Sequence, residues 1–263
     1  MRLPALALAL LVGTAAATGC LAQDPPPDVR RGLAPQSTAT ARLPAPERGA
    51  DGPYTVGPPS ADGTGRVYMG RELAHPMSHR GAAWLERSDR ERDERPDAVV
   101  DALGLAEDAV VVDLGAGTGY FTRRLAPRVP RGRVIAVDIQ PEMLDILRRQ
   151  VDTEGITNVE TVLGTEQDPG LRPNSVDLTL IVDSYHEFGY PREVMRALHR
   201  ATRPGGRVVL VEYRGEDPAV PIRALHKMTE AQVRREVEAA GFRFVENRSF
   251  LPHQHFLVFE RPR

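Results

Sequence analysis

The chain has 263 residues, 41% of them hydrophobic and 27% charged, with a formal net charge of −2 and one cysteine. That balance is ordinary for a globular protein and gives no basic footprint for nucleic acid. No apolar run reaches the ~18 residues of a membrane-spanning helix, and a single thiol excludes an internal disulfide framework.

In chain order, the first object is the leader. Arg2, an apolar stretch from Leu3 to Ala17, and the small residues before Cys20 have the layout of a secretory signal. The stretch also resembles a bacterial lipoprotein signal, whose cysteine becomes the acylated first residue of the mature chain. Ala17 stands where that pattern usually has Leu. The expectation is a signal over residues 1–20 and a lipid anchor at Cys20 in the cell envelope, the only contact with a membrane. A start at Met69 would instead leave the protein in the cytoplasm. Residues 21–65, with Pro25-Pro26-Pro27, Pro44, Pro46 and Pro58-Pro59, read as a disordered tether.

The folded domain is expected over 66–263, beginning with a helical prelude over 66–104. Its alternating charges from Glu86 to Arg95 read as a solvated helix or loop. Pro96 opens a helix that turns Val99, Val100 and Leu103 inward. Strand patterns then fall at 109–113, 133–138, 158–163, 176–182 and 207–213, and helical patterns at 119–127, 141–154, 191–202 and 229–240. Such alternation predicts a parallel sheet with helices on both faces. Residues 242–249 and 255–260, separated by Pro252, read as a closing antiparallel hairpin.

The residues with chemistry sit where strands end. Val110-Val111-Val112 runs into Asp113, and Gly115, Gly117 and Gly119 follow at alternate positions before a helix. Glycines let a ligand approach the backbone closely. The spacing is not that of the dinucleotide fingerprint G-x-G-x-x-G, and no Gly-Lys-Ser/Thr follows to make a phosphate loop. Asp138 ends the next strand, 21 residues after Gly117, where an acid meets ribose hydroxyls in a βαβ unit. Asp183, Tyr185, His186 and Glu187 cluster at the exit of the fourth strand, and His with an adjacent acid suits proton transfer near neutral pH. His253 and His255 have no third ligand nearby, so no metal site is expected.

The motif D-x-G-x-G-x-G with the second acid resembles class I S-adenosylmethionine-dependent methyltransferases, over about residues 66–260. The resemblance implies a Rossmann-like, doubly wound α/β sheet of seven mostly parallel strands. It implies S-adenosylmethionine as cofactor, held by Asp113, Gly115, Gly117, Gly119, Asp138 and Asp183. An acid after the third strand would meet the adenine amino group; Gly164-Thr165 replaces the usual Gly-Asp, which leaves Glu166 or Asp168 for the task. The core is similar to the small-molecule branch that includes quinone-ring methylating enzymes. The expected partner is therefore a small-molecule acceptor, with His186 acting on it and Glu187 orienting His186. The alternative is an envelope-anchored binding protein that kept the fold and lost the chemistry.

Overall fold

The computed structural model describes residues 52–263. The leader, Cys20 and the tether up to residue 51 lie outside the described residues. Order begins earlier than the expected boundary at residue 66. Strands β1 (Tyr54–Val56), β2 (Gly63–Tyr68) and β3 (Arg71–Ala74) form a small antiparallel sheet. The prelude is therefore not helical at its start. Tyr54, Tyr68 and Leu73 are buried together, with Tyr190 packed against them. The Tyr54 hydroxyl donates to Glu193. A chain starting at Met69 would lack β1 and β2 and expose this cluster.

Helices α1 (Ala82–Leu85), α2 (Arg90–Glu94) and α3 (Pro96–Ala102) follow. Pro96 does open α3, with Val99, Val100 and Leu103 buried. The charged run is only partly a solvated face. Arg90 and Glu94 are buried and paired one helical turn apart, and Arg90 lies 4.1 Å from the centre of the Tyr120 ring.

The main sheet is β4 (Val110–Leu114), β5 (Arg133–Asp138), β6 (Val159–Leu163), β7 (Val176–Val182), β8 (Thr202–Tyr213), β9 (Arg243–Asn247) and β10 (Gln254–Glu260). Its order is β6-β5-β4-β7-β8-β10-β9. The first five strands are parallel, and β10 runs antiparallel between β8 and β9. This is the doubly wound, mostly parallel seven-stranded sheet with a closing hairpin that the sequence predicts. The segment Pro204-Gly205-Gly206, ahead of the strand pattern read at 207–213, lies inside β8. There the register jumps from Val176↔Thr202 to Leu178↔Arg207.

Helices α4 (Thr122–Leu125), α5 (Pro141–Thr153), α6 (Pro191–Ala201) and α7 (Glu230–Glu238) complete the layers. Alternate residues of each strand face opposite sides. Val110, Val112 and Leu114 share one core with α6 and α7, while Val111 joins α3 and α4 on the other face. Thr229 caps α7, its side chain accepting from the Gln232 N–H at 3.2 Å.

One buried ion pair fastens the small sheet to the large one. Arg71 of β3 makes two parallel bonds of 2.9 Å to Glu236 of α7, and its third nitrogen donates to the His186 carbonyl at 3.0 Å. Both side chains are nearly solvent-free. Removing one member of such a pair strands the other charge. Arg71→Ala is expected to lower stability by about 3–5 kcal/mol in urea unfolding, and Arg71→Met with Glu236→Leu is expected to recover most of that loss.

Candidate functional site

The sheet order reverses between β4 and β7, and the carboxyl ends of the strands there open into a crevice. A cavity of about 1200 Å³ occupies it. That exceeds the ~300–1000 Å³ typical of a pocket for one small ligand.

The floor is the glycine turn after β4. The N–H groups of Gly115 and Ala116 donate to the Val137 carbonyl, which fixes the turn against β5. Gly115 and Gly117 adopt φ of +76° and +54°, the left-handed region that disfavours side chains. A Cβ at residue 115 would lie 2.6 Å from Ser184 Oγ, and one at residue 117 would lie 2.8 Å from Leu85 Cδ1. Asp138 ties the turn to the next helix. One of its oxygens accepts from the Gly117 N–H at 2.9 Å and the other from the Gln140 N–H at 2.8 Å. Burial raises the Asp138 carboxyl above its ordinary range. Asp113 is buried beneath the turn, where the Thr122 hydroxyl donates to it at 2.6 Å. Burial pushes its carboxyl up to about 6.

Gly119 departs from the expectation. It does not line the cavity; a Cβ there would lie 2.6 Å from Leu147 Cγ, so it lets the turn pack closely on α5. Of the two acids after β6, Glu166 stands on the cavity rim. Asp168 turns away, accepting from the Gly170 N–H at 2.9 Å.

Asp183 ends β7 with φ of +46°, a costly conformation for a residue with a side chain. It is buried; one oxygen accepts from Gln254 Nε2 at 2.7 Å and the other has no partner. Burial, then Glu94 and Glu212, push its carboxyl well above the usual range. The environment therefore favours its protonated form more than an exposed acid's.

His186 lines the cavity but is only 3% exposed, so it sits behind the mouth rather than at it. Its orienting acid is not its neighbour. His186 Nδ1 lies 2.7 Å from Glu212 Oε2, at the end of β8, and the other Glu212 oxygen accepts from the Tyr185 N–H at 2.8 Å. Glu212 is fully buried. A carboxylate only accepts, so the neutral imidazole carries its proton on Nδ1 and turns its Nε2 lone pair outward. That Nε2 lies 3.1 Å from His226 Nδ1 and 3.8 Å from Glu187 Oε1. Glu187 thus faces the far side of the imidazole, and its second oxygen accepts from the Met77 N–H at 3.0 Å. Gln140 also holds this segment, donating to the Met77 carbonyl and accepting from the His79 N–H, each at 2.8 Å. The segment is a strap along the cavity wall.

Glu212 and His226 are the site residues that the sequence reading left unassigned. Glu212 carried a signal, an acid closing the apolar run Val208-Val209-Leu210-Val211. His226 carried none, because its partner is 40 residues away.

Residues 111–206 match the model of a family described as a methyltransferase domain. An uncharacterized methyltransferase-like protein of Schizosaccharomyces pombe is 36% identical over 125 residues, 48% of this chain and 46% of its own. An uncharacterized methyltransferase of Mycobacterium tuberculosis is 40% identical over 124 residues, 47% of each. A ubiquinone/menaquinone biosynthesis C-methyltransferase of Hahella chejuensis is 30% identical over 125 residues, 47% of this chain and 49% of its own. The chain spans about half the length of these curated relatives. A solved SAM-dependent methyltransferase from Aquifex aeolicus superposes with a TM-score of 0.67 at 24% identity, covering 70% of this chain and 99% of that one. Residues 111–206 thus match a methyltransferase-domain model, and the fold is that of the solved SAM-dependent methyltransferase.

The raised carboxyl of Asp113 makes stability depend on pH. Unfolded, the group ionises near 3.8; folded, it holds its proton to about 6. Between those values the folded state binds more protons, so the contribution is full below the lower value and is lost as pH rises through the higher. Asp113→Asn keeps the acceptor for Thr122 and removes the titration. Its stability relative to the parent is expected to rise by about 2–3 kcal/mol between pH 4 and pH 7 in denaturant titrations. A difference that is flat with pH would refute the assignment.

Proposed function

We propose that the chain transfers the methyl group of S-adenosylmethionine to a small-molecule acceptor bound in the same cavity. The cofactor supplies an electrophilic methyl on a sulfonium. The residues present fit it. Two glycines in the left-handed region clear space at the end of β4. Asp138, already holding Gly117 and Gln140, has lone pairs left for ribose hydroxyls. Asp183 lines the same cavity, and Glu166 on the rim suits the adenine amino group.

The observation that carries the reading is that the Glu212–His186 pair opens into the cavity that holds the Asp138–Gly117 cradle. Methyl transfer needs the nucleophile, methyl carbon and sulfur in line, which is a matter of holding two ligands side by side. The volume supports that. The imidazole Nε2 is the group that meets an acceptor hydroxyl, and the buried carboxylate behind it fixes the ring's orientation and tautomer. Glu187 and His226 line the acceptor side. The methyl-transfer class is favoured over a chemically silent binding protein because the cradle and the buried Glu–His pair are both intact.

Two variants separate cofactor holding from acceptor chemistry. Asp138→Ala removes a charge-assisted acceptor and releases the glycine turn. Calorimetry with S-adenosylmethionine is expected to show affinity reduced about 10- to 150-fold, the equivalent of ~1.5–3 kcal/mol. His186→Asn keeps shape and some hydrogen bonding but not basicity. It is expected to bind S-adenosylmethionine within about twofold of the parent while label transfer from methyl-labelled cofactor to a small-molecule cell extract falls by ~10²–10⁴. Undiminished transfer in His186→Asn ends the proposed role, and undiminished binding in Asp138→Ala ends the proposed cradle.

A further inference from the structure

We propose that His186, His226 and Glu187 form a binding site for a divalent transition-metal ion of the zinc type, with an open position facing the cavity. The three atoms concerned are His186 Nε2, His226 Nδ1 and Glu187 Oε1, and they lie within 4.8 Å of one another. Their separations are 3.1, 3.6 and 3.8 Å. The centre of a triangle with those sides is about 2.0 Å from every corner, which is the bond length of zinc to imidazole nitrogen and carboxylate oxygen, ~2.0–2.2 Å. One ion placed there reaches all three donors with no movement of the chain.

Three further features prepare two of the donors. The far nitrogen of His186 is held by buried Glu212 at 2.7 Å, the carboxylate–histidine arrangement that orients a metal-binding imidazole and strengthens it as a ligand. Arg71 fixes the same residue by its carbonyl at 3.0 Å. Glu187 has one oxygen occupied by the Met77 N–H, which aims the other at the two histidines. Two imidazoles and one carboxylate also form a familiar donor set for an ion that keeps a fourth position open. Imidazole-rich sites suit zinc and its neighbours rather than magnesium or calcium, which favour oxygen.

All three residues line the cavity. The open position therefore faces the space left beside the cofactor cradle. An oxygen of the acceptor would take that position in place of water, so the site selects acceptors that carry a metal-binding hydroxyl or carbonyl. This last step rests on the methyl-transfer reading; the ion site itself does not. With the ion bound, His186 Nε2 is a ligand, so the base role proposed above belongs to the metal-free protein. Sequence spacing conceals such a site, since its ligands come from the exit of β7 and from a loop 40 residues later.

The test is zinc titration of the purified full chain after chelator dialysis, followed by calorimetry, with cobalt(II) absorption as a second probe. One ion per chain is expected. His226→Ala and Glu187→Gln are expected to lower zinc affinity at least tenfold, and Glu212→Gln by ~10–100-fold. His253→Ala, outside the cavity, should leave it unchanged. Circular dichroism melts confirm that each variant is folded; Glu187→Gln alters shape least and decides the matter if the others unfold. Absence of saturable zinc uptake, or uptake equal in parent and Glu187→Gln, overturns the proposal. S-adenosylmethionine binding is measured in parallel. Cofactor binding without zinc uptake refutes the metal site and leaves methyl transfer standing, whereas zinc uptake without cofactor binding supports the site and refutes methyl transfer.

Discussion

The arrangement of the site depends on one buried carboxylate. Glu212 lies fully buried at the end of β8, where desolvation alone would make an acid very unfavourable. It is tolerable because both its oxygens are used, one by the Tyr185 N–H and one by the His186 ring. Those two bonds bend the chain leaving β7 into a short 3₁₀ turn, Tyr185–Glu187, whose backbone cannot pair within the sheet. The turn directs His186 and Glu187 into the cavity. A Gln at residue 212 could satisfy one donor well and the other poorly, so the acid is a geometric requirement before it is a chemical one.

The N-terminal sheet is drawn into the same arrangement. Arg71 reaches Glu236 on α7 and the His186 carbonyl at once, so β3 is fixed relative to the β7 exit. The chain that follows β3 becomes the strap around Met77, which Gln140 and Glu187 hold from opposite sides. Gln140 is two residues beyond Asp138 and donates its own backbone N–H to it. The Asp138–Gly117 turn, the strap and Glu187 are therefore one hydrogen-bonded assembly. A displacement of the strap would be felt at both ends of the cavity.

The sheet was legible in the sequence because parallel strands buried on both faces leave long β-branched runs, as in Val110-Val111-Val112 and Val208-Val209-Leu210-Val211. The glycine turn and Asp138 were legible because close approach to a ligand leaves a spacing rule. The small N-terminal sheet was not. β1 has three residues, its neighbours are rich in proline and glycine, and its stability comes from Tyr54, Tyr68 and Glu193, which are distant in sequence. For the same reason Arg90 and Glu94 read as solvent charges, although they pair in the interior. Glu187 was named for the wrong service: adjacency in sequence suggested that it steadies His186, whereas it approaches the ring's Nε2, and the acid that holds Nδ1 came from the neighbouring strand.

Three acids around the cavity show how burial assigns different duties to one side-chain type. Asp138 is tied by two backbone N–H donors, which offset part of its desolvation and favour its charged form as an acceptor. Asp113, held by the hydroxyl and the backbone N–H of Thr122, rises to about 6 and is a structural prop beneath the turn. Asp183 has one amide donor, two carboxylates nearby and a strained backbone, and it is driven furthest toward the protonated form. An acceptor beside the glycine turn, a prop below it and an acid that favours its proton across from it are then produced by the same residue type at the ends of adjacent strands. The polarity of the cavity follows from where the backbone N–H groups point, and those directions are set by the order of the strands.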